Sequence, residues 1–137
     1  MNVKEILNKA NALGACANSG KATDWKSLCW LFFSSQGREF CKNNNYPTLD
    51  MFRAMKSNVQ PFGVWVEENP NLTNTDAAII GNCTARLTYS GVDKAYKVIL
   101  MHGSYAKIMV GNYAVVRIEN IGGSYEIIND GTGKVLL

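Results

Sequence analysis

Histidine is nearly absent from this chain: His102 is the only imidazole among 137 residues. Metal sites built from several histidines are therefore excluded, and the four cysteines contain no C-x-x-C pair. We predict no metal and no cofactor. The cysteines are expected to be reduced thiols, because three lie in helix-like sequence and no secretion signal is visible. They are Cys16, Cys29, Cys41 and Cys83.

Long apolar runs are also missing. The longest, residues 28–33, has six residues, whereas a bilayer-spanning helix needs roughly 20. The first five residues are polar and charged, with no apolar region behind them, which is not typical of a secretory signal. We therefore expect a cytoplasmic protein with no membrane partner.

Charged residues are few, at 18%, while hydrophobic residues reach 47%. This balance is typical of a folded globular chain, and the length suits one domain or two small units. The first 60 residues carry eight basic and four acidic side chains, and the remainder carries six and seven. The basic first half of the chain is compatible with an anionic binding partner but does not require one.

Helical spacing of apolar residues dominates the first 60 residues. Helices are predicted over 3–13, from a cap at Thr23 or Asp24 to 33, over 36–43, and from Pro47 onward. The residues between the first two helices read as a small-residue loop. The aromatic side chains of this half are expected to form its core. They are Trp25, Trp30, Phe32, Phe33, Phe40 and Phe52.

The stretch over residues 37–53 resembles the helix-turn-helix of small DNA-binding heads in phage packaging subunits and replication factors. The resemblance implies contacts from basic side chains to phosphate, and the candidates are Lys42, Arg53 and Lys56. Asp50 would lie on the same face and weaken such binding. A small helical cap with a solvated polar face is therefore the favoured interpretation, and nucleic acid is the alternative partner.

Turn pairs recur through the second half, starting at residues 81, 90, 103, 111, 122 and 130. Alternate turns are 19–22 residues apart, which indicates coils of about twenty residues with two corners each. We therefore predict an α+β fold with a helical head over 1–60 and a parallel β-solenoid over 61–137. An antiparallel meander, sandwich or barrel is the alternative, since short strands with glycine turns suit it as well.

Two features of the predicted solenoid suit it to binding. Four tyrosines spread along it would contact a protein partner if they shared one side: Tyr89, Tyr105, Tyr113 and Tyr125. The apolar residues 135–137 would leave an open edge that pairs with another chain, so a homo-oligomer is expected. Ordinary stacking between coils is the alternative role for the tyrosines.

Catalytic chemistry has little support. Cys83 precedes His102 by 19 residues, close to one coil, so the two could become neighbours and form a nucleophile pair. A cysteine there is more typical of inward packing, and nothing in the sequence indicates a lowered thiol pKa. The glycine and lysine of residues 14–21 miss the phosphate-loop spacing. We predict no catalytic residue and a protein that is not an enzyme.

Five phrases carry a resemblance that spans most of the chain: QGREFC (36–41), NYPTL (45–49), AIIGN (78–82), VILMHG (98–103) and NYAVV (112–116). They resemble short uncharacterised proteins carried by bacteria and their phages or mobile elements. That family has no assigned activity, so the resemblance supplies no functional residues. It implies a phage or mobile-element accessory protein, which we expect to be a non-enzymatic protein-binding module.

Overall fold

The computed structural model describes residues 1–14 and 22–137, which form four helices followed by nine strands. Most of the predicted loop between the first two helices, residues 15–21 of the rejected phosphate loop, and Cys16 lie outside the described residues. The chain divides into two units, Met1–Val64 and Trp65–Leu137. The fold is therefore α+β, as the sequence predicts.

The helices begin at polar residues that accept hydrogen bonds from the first turn. Asn2, Asp24, Ser34 and Thr48 are the four N-caps, and each side chain accepts from the backbone N–H three residues on. Such caps satisfy N–H groups that have no partner inside the helix. The helices are α1 (Val3–Ala12), α2 (Trp25–Phe33), α3 (Ser35–Asn44) and α4 (Leu49–Val59), with a short 3₁₀ turn at Gln60–Phe62.

Two predictions for the helical unit are wrong. The side chain of Trp30 is 74% exposed and not in the core, although Cys29 and Phe33 of the same helix are buried. Pro47 does not start the fourth helix. Thr48 accepts the N–H of Met51 and so places the helix start at Leu49, and the Tyr46–Pro47 peptide before it is cis.

The strands of the second half form two parallel sheets. The five-stranded sheet has the order β1 (Val64–Val66), β3 (Ala77–Ile80), β5 (Ala95–Met101), β7 (Val115–Ile121), β9 (Lys134–Leu136). The four-stranded sheet has the order β2 (Asn71–Thr73), β4 (Thr84–Ser90), β6 (Tyr105–Gly111), β8 (Ser124–Asn129). Successive strands alternate between the sheets, which defines a β-solenoid of about three turns. The antiparallel alternative is wrong.

The register explains the spacing of the turns. From β3 onward, paired residues are 19–21 positions apart, as in Thr84 with Tyr105 and Tyr105 with Ser124. At one corner Gly81, Gly103 and Gly122 stack with φ of 86–87°. A side chain is strained at that φ, so glycine recurs once per coil.

Inward side chains of both sheets fill the solenoid. Small residues (Ala77, Ala85, Ala106, Ala114) alternate with large ones (Leu87, Val98, Leu100, Ile108, Val116, Ile118), and all of these are buried. Among the residues described, no helix is both long enough and apolar enough to cross a membrane.

Candidate binding sites

The last coil of the solenoid, made of β8 and β9, is the first candidate, and we call it the terminal coil. Within residues 22–137, each of these strands has a neighbour on one side only. Tyr125 and Ile127 point inward on β8 but remain partly exposed. Their register partners one coil earlier, Ala106 and Ile108, are fully buried. The terminal coil thus presents apolar core residues that further chain could cover.

The backbone of β8 is also oriented for pairing. Ser124 and Asp130 donate their N–H groups to the carbonyls of Ser104 and Val110 on the β6 side, at 2.8 and 3.1 Å. Alternate residues of a strand point their polar groups to opposite edges. The N–H and C=O groups of residues 125, 127 and 129 therefore face the open edge. Strand β2 is open as well, but it has only three residues and offers a shorter template.

The outer face of the four-stranded sheet carries rows of side chains in register. Arg86, Lys107 and Glu126 form one row, and Thr88, Met109 and Ile128 form the next. The hydroxyl of Tyr105 donates to Glu126 Oε2 at 3.0 Å, which raises the pKa of this phenol. The face combines two cations and one carboxylate with a neighbouring row that includes the apolar Met109 and Ile128.

The four candidate tyrosines do not share one side of the solenoid. Tyr89 is 1% exposed, its ring lies 5.0 Å from that of Tyr96, and its hydroxyl donates to Thr75 O. Burial raises its pKa. Tyr89 therefore belongs to the core and not to a binding surface. Tyr105 faces outward, Tyr125 faces inward, and Tyr113 is 66% exposed at a corner, so no single ladder of tyrosines forms.

The candidate basic residues of the helical unit lie on α3 and α4. Lys42 is exposed, and Lys56 is partly buried. Arg53 contacts the carboxylate of Asp50 at 3.4 Å. The two residues therefore share one face of α4, as the sequence predicts. Arg38 is buried, and its guanidinium donates to the carbonyl of Phe33, so its charge does not add to the surface.

Cys83 does not have the character of an activated nucleophile. Its thiol is buried in the solenoid core and donates to the carbonyls of Ile80 and Gly81 at 3.6 and 3.4 Å. Burial raises its pKa, whereas a cysteine nucleophile needs a lowered one. His102 sits at a corner with φ of 57°. The predicted inward packing of Cys83 is confirmed. Within the described ranges, no cluster of three or more His, Cys, Asp or Glu residues could hold a metal ion.

An apolar cavity of about 100 Å³ lies in the helical unit. Cys29 and Cys41 line it, and burial raises the pKa of both thiols to about 12. Tyr46 also lines it, and its hydroxyl donates to the carbonyl of Ile6 at 2.6 Å. Sequence reasoning missed this cavity, because helical spacing shows which faces turn inward but not how completely the side chains fill the space between them.

Comparison with known proteins suggests no function, so the assignment of function rests on the geometry of the described residues. The features available are the terminal coil, the rows of side chains on the outer face of the four-stranded sheet, the basic residues of α3 and α4, and the apolar cavity. No protein family, curated protein or solved structure matches the chain.

Proposed function

We propose that the protein is a non-enzymatic interaction module that binds other polypeptide chains by strand addition at the terminal coil, with a second copy of itself as the first partner. The partial exposure of Tyr125 and Ile127, at positions buried one coil earlier, carries this proposal. The resemblance of the sequence to phage and mobile-element proteins supports an accessory role in such an element. The free thiols of Cys29, Cys41 and Cys83 support a cytoplasmic location.

Two copies related by a two-fold axis would pair β8 with β8 in antiparallel fashion. Side chains that point into one solenoid must then lie opposite side chains that point into the other. The two-fold axis can therefore pass through residue 126 or through residue 127. A centre at Glu126 places two carboxylates directly opposite each other, which is destabilising. A centre at Ile127 pairs Ile127 with itself, Tyr125 with Asn129, and Glu126 with Ile128. The second arrangement is therefore the one we propose.

The test is the mass of the protein in solution by sedimentation velocity over a wide concentration range. We expect a dimer whose population rises with concentration. Ile127→Pro removes one outward N–H and leaves the β6 ladder intact, so it should give a monomer. Ile128→Glu should do the same, because the new carboxylate would face Glu126 of the other copy.

Met109→Glu is the matched control, since Met109 is the register partner of Ile128 on the inner coil. This variant should still dimerise. A wild-type protein that stays monomeric at the highest concentration would refute the proposal. If both β8 variants formed dimers as stable as those of the wild type, the assignment of the dimer interface to β8 would be refuted.

A partner other than a second copy would also find Tyr105 and Tyr113 accessible. Capture of bound protein from the native host with wild type, Tyr105→Ala and Tyr113→Ala tests these contacts. Loss of one specific partner in a tyrosine variant would support them. Equal capture by all three proteins would remove the tyrosines from the binding surface.

Nucleic-acid binding by the helical unit is the second candidate. The helices α3 and α4 are joined by a four-residue turn, and Lys42 is exposed beside it. Binding should weaken as salt rises, and it should also weaken in a variant with Lys42, Arg53 and Lys56 changed to alanine. The ion pair of Arg53 with Asp50 lowers the expected affinity. Absence of DNA and RNA binding at low salt would end this hypothesis.

A further inference from the structure

The apolar cavity of the helical unit is bounded by all four helices. Its lining includes Ile6 and Ala10 of α1, Cys29 of α2, Cys41 of α3 and Phe52 of α4, together with Tyr46. Its volume is about 100 Å³, which is more than one water molecule occupies, and close packing leaves few gaps of that size between side chains.

The lining selects an uncharged occupant. None of the lining side chains in the described residues carries a formal charge. The thiols of Cys29 and Cys41 stay protonated at neutral pH, because burial raises their pKa to about 12, and they therefore act as small apolar groups. The hydroxyl of Tyr46 already donates to the carbonyl of Ile6. A charged ligand would lose its hydration without gaining a counter-charge.

The volume of the cavity and its access from solvent both suit a small ligand. An engineered apolar cavity of about 150 Å³ in another protein stays dry and binds benzene, so about 100 Å³ suits a single small ring or a branched alkyl group. Several lining side chains, including Leu7, Leu28 and Phe40, are partly exposed. The cavity is also only partly enclosed, so a ligand can enter it without unfolding the helices.

We propose that the helical unit binds a small uncharged apolar molecule, of the size of one substituted ring, in the cavity between α1, α2, α3 and α4. This binding is independent of strand addition at the terminal coil. It assigns the helical unit a ligand site of its own.

Toluene is the probe, and benzoate is its charged counterpart with the same ring. Isothermal titration and backbone amide NMR should show that toluene binds and shifts the amide signals of Ile6 and Ala10. Benzoate should bind at least tenfold more weakly. Equal binding of the two probes, or no binding of toluene up to its solubility, would overturn the proposal.

Ala10→Leu fills the cavity from α1 and should weaken toluene binding at least tenfold. Ala54→Leu is the matched control, because Ala54 is exposed on α4 and does not line the cavity. Toluene binding that is unchanged in a folded Ala10→Leu variant would place the ligand elsewhere and overturn the assignment.

A measurement on the wild-type protein removes any dependence on that variant. Alkylation of each cysteine is followed by mass spectrometry of its peptide, with and without toluene. Toluene should slow the alkylation of Cys29 and Cys41, which line the cavity, and leave Cys83 in the solenoid unchanged. Equal slowing at all three cysteines, or at none, would contradict binding in this cavity.

Discussion

Gly123→Ala tests the stacking of the solenoid coils directly. Gly123 precedes β8 and donates its N–H to Asn120 Oδ1 at 2.8 Å. A methyl group on its Cα would lie 2.8 Å from Ser104 O and 2.9 Å from both Leu100 Cβ and Ser104 Oγ. These atoms belong to the preceding coil, so the clash exists only if the coils stack in the observed register.

The expected loss follows from that clash. The φ of Gly123 lies outside the left-handed region, so the alanine backbone itself is not strained. Gly→Ala at an unobstructed site stabilises by about 0.4–1 kcal/mol. Overpacking costs about 1–3 kcal/mol, and Ser104 O cannot move freely because it accepts the N–H of Ser124 at 2.8 Å. We expect the free energy of unfolding to fall by roughly 1–2 kcal/mol.

Urea unfolding followed by circular dichroism measures this change. Ser124→Ala, at the adjacent exposed position, is the control and should stay within about 0.5 kcal/mol of wild type. Ser104→Ala removes a buried hydroxyl that has no hydrogen-bond partner within 1–14 and 22–137. It should be neutral or stabilising, and it should recover part of the loss in the double variant. A Gly123→Ala protein as stable as Ser124→Ala would refute the coil stacking.

Two further predictions concern the helical unit. Thr48→Ala removes the cap that accepts the Met51 N–H and should lower the free energy of unfolding by about 0.5–2 kcal/mol, whereas Thr48→Ser should keep most of it; equal urea midpoints for the two would contradict the cap. Because burial raises the pKa of Cys41 from 9.0 to about 12, its contribution to stability is constant below pH 9 and falls as the pH rises toward 12, by about 1.4 kcal/mol per pH unit. The stability of Cys41→Ala should therefore fall less steeply over that range, and parallel curves would show that the thiol is not buried.

Much of the architecture was available from the sequence. The recurrence of turns predicts coils of about twenty residues, and the observed register repeats every 19–21 positions. Alternation along each strand identifies the inward residues, such as Leu87 and Ile108. Asp24 is recognisable as a helix cap from its position before an apolar run. These properties depend on residues near one another in sequence or at one fixed period.

The candidate sites were less accessible to sequence reasoning. The sequence predicts a core position for Trp30, which is exposed, and offers a surface role for Tyr89, which is buried. Exposure depends on what covers a side chain, and that is set by elements distant in sequence. The same reason explains why neither the incomplete filling between the helices nor the partial exposure of Ile127 was foreseen.

Local chemistry therefore fixed the helix starts, the corners and the length of the coil, because caps, glycines and alternation act over a few residues or one period. Only the tertiary structure decided between the parallel solenoid and its antiparallel alternative, and only it showed the partial exposure of Tyr125 and Ile127 and the volume left between the four helices. Each of these depends on how side chains from separate elements fill a shared space, and no single stretch of chain encodes that volume.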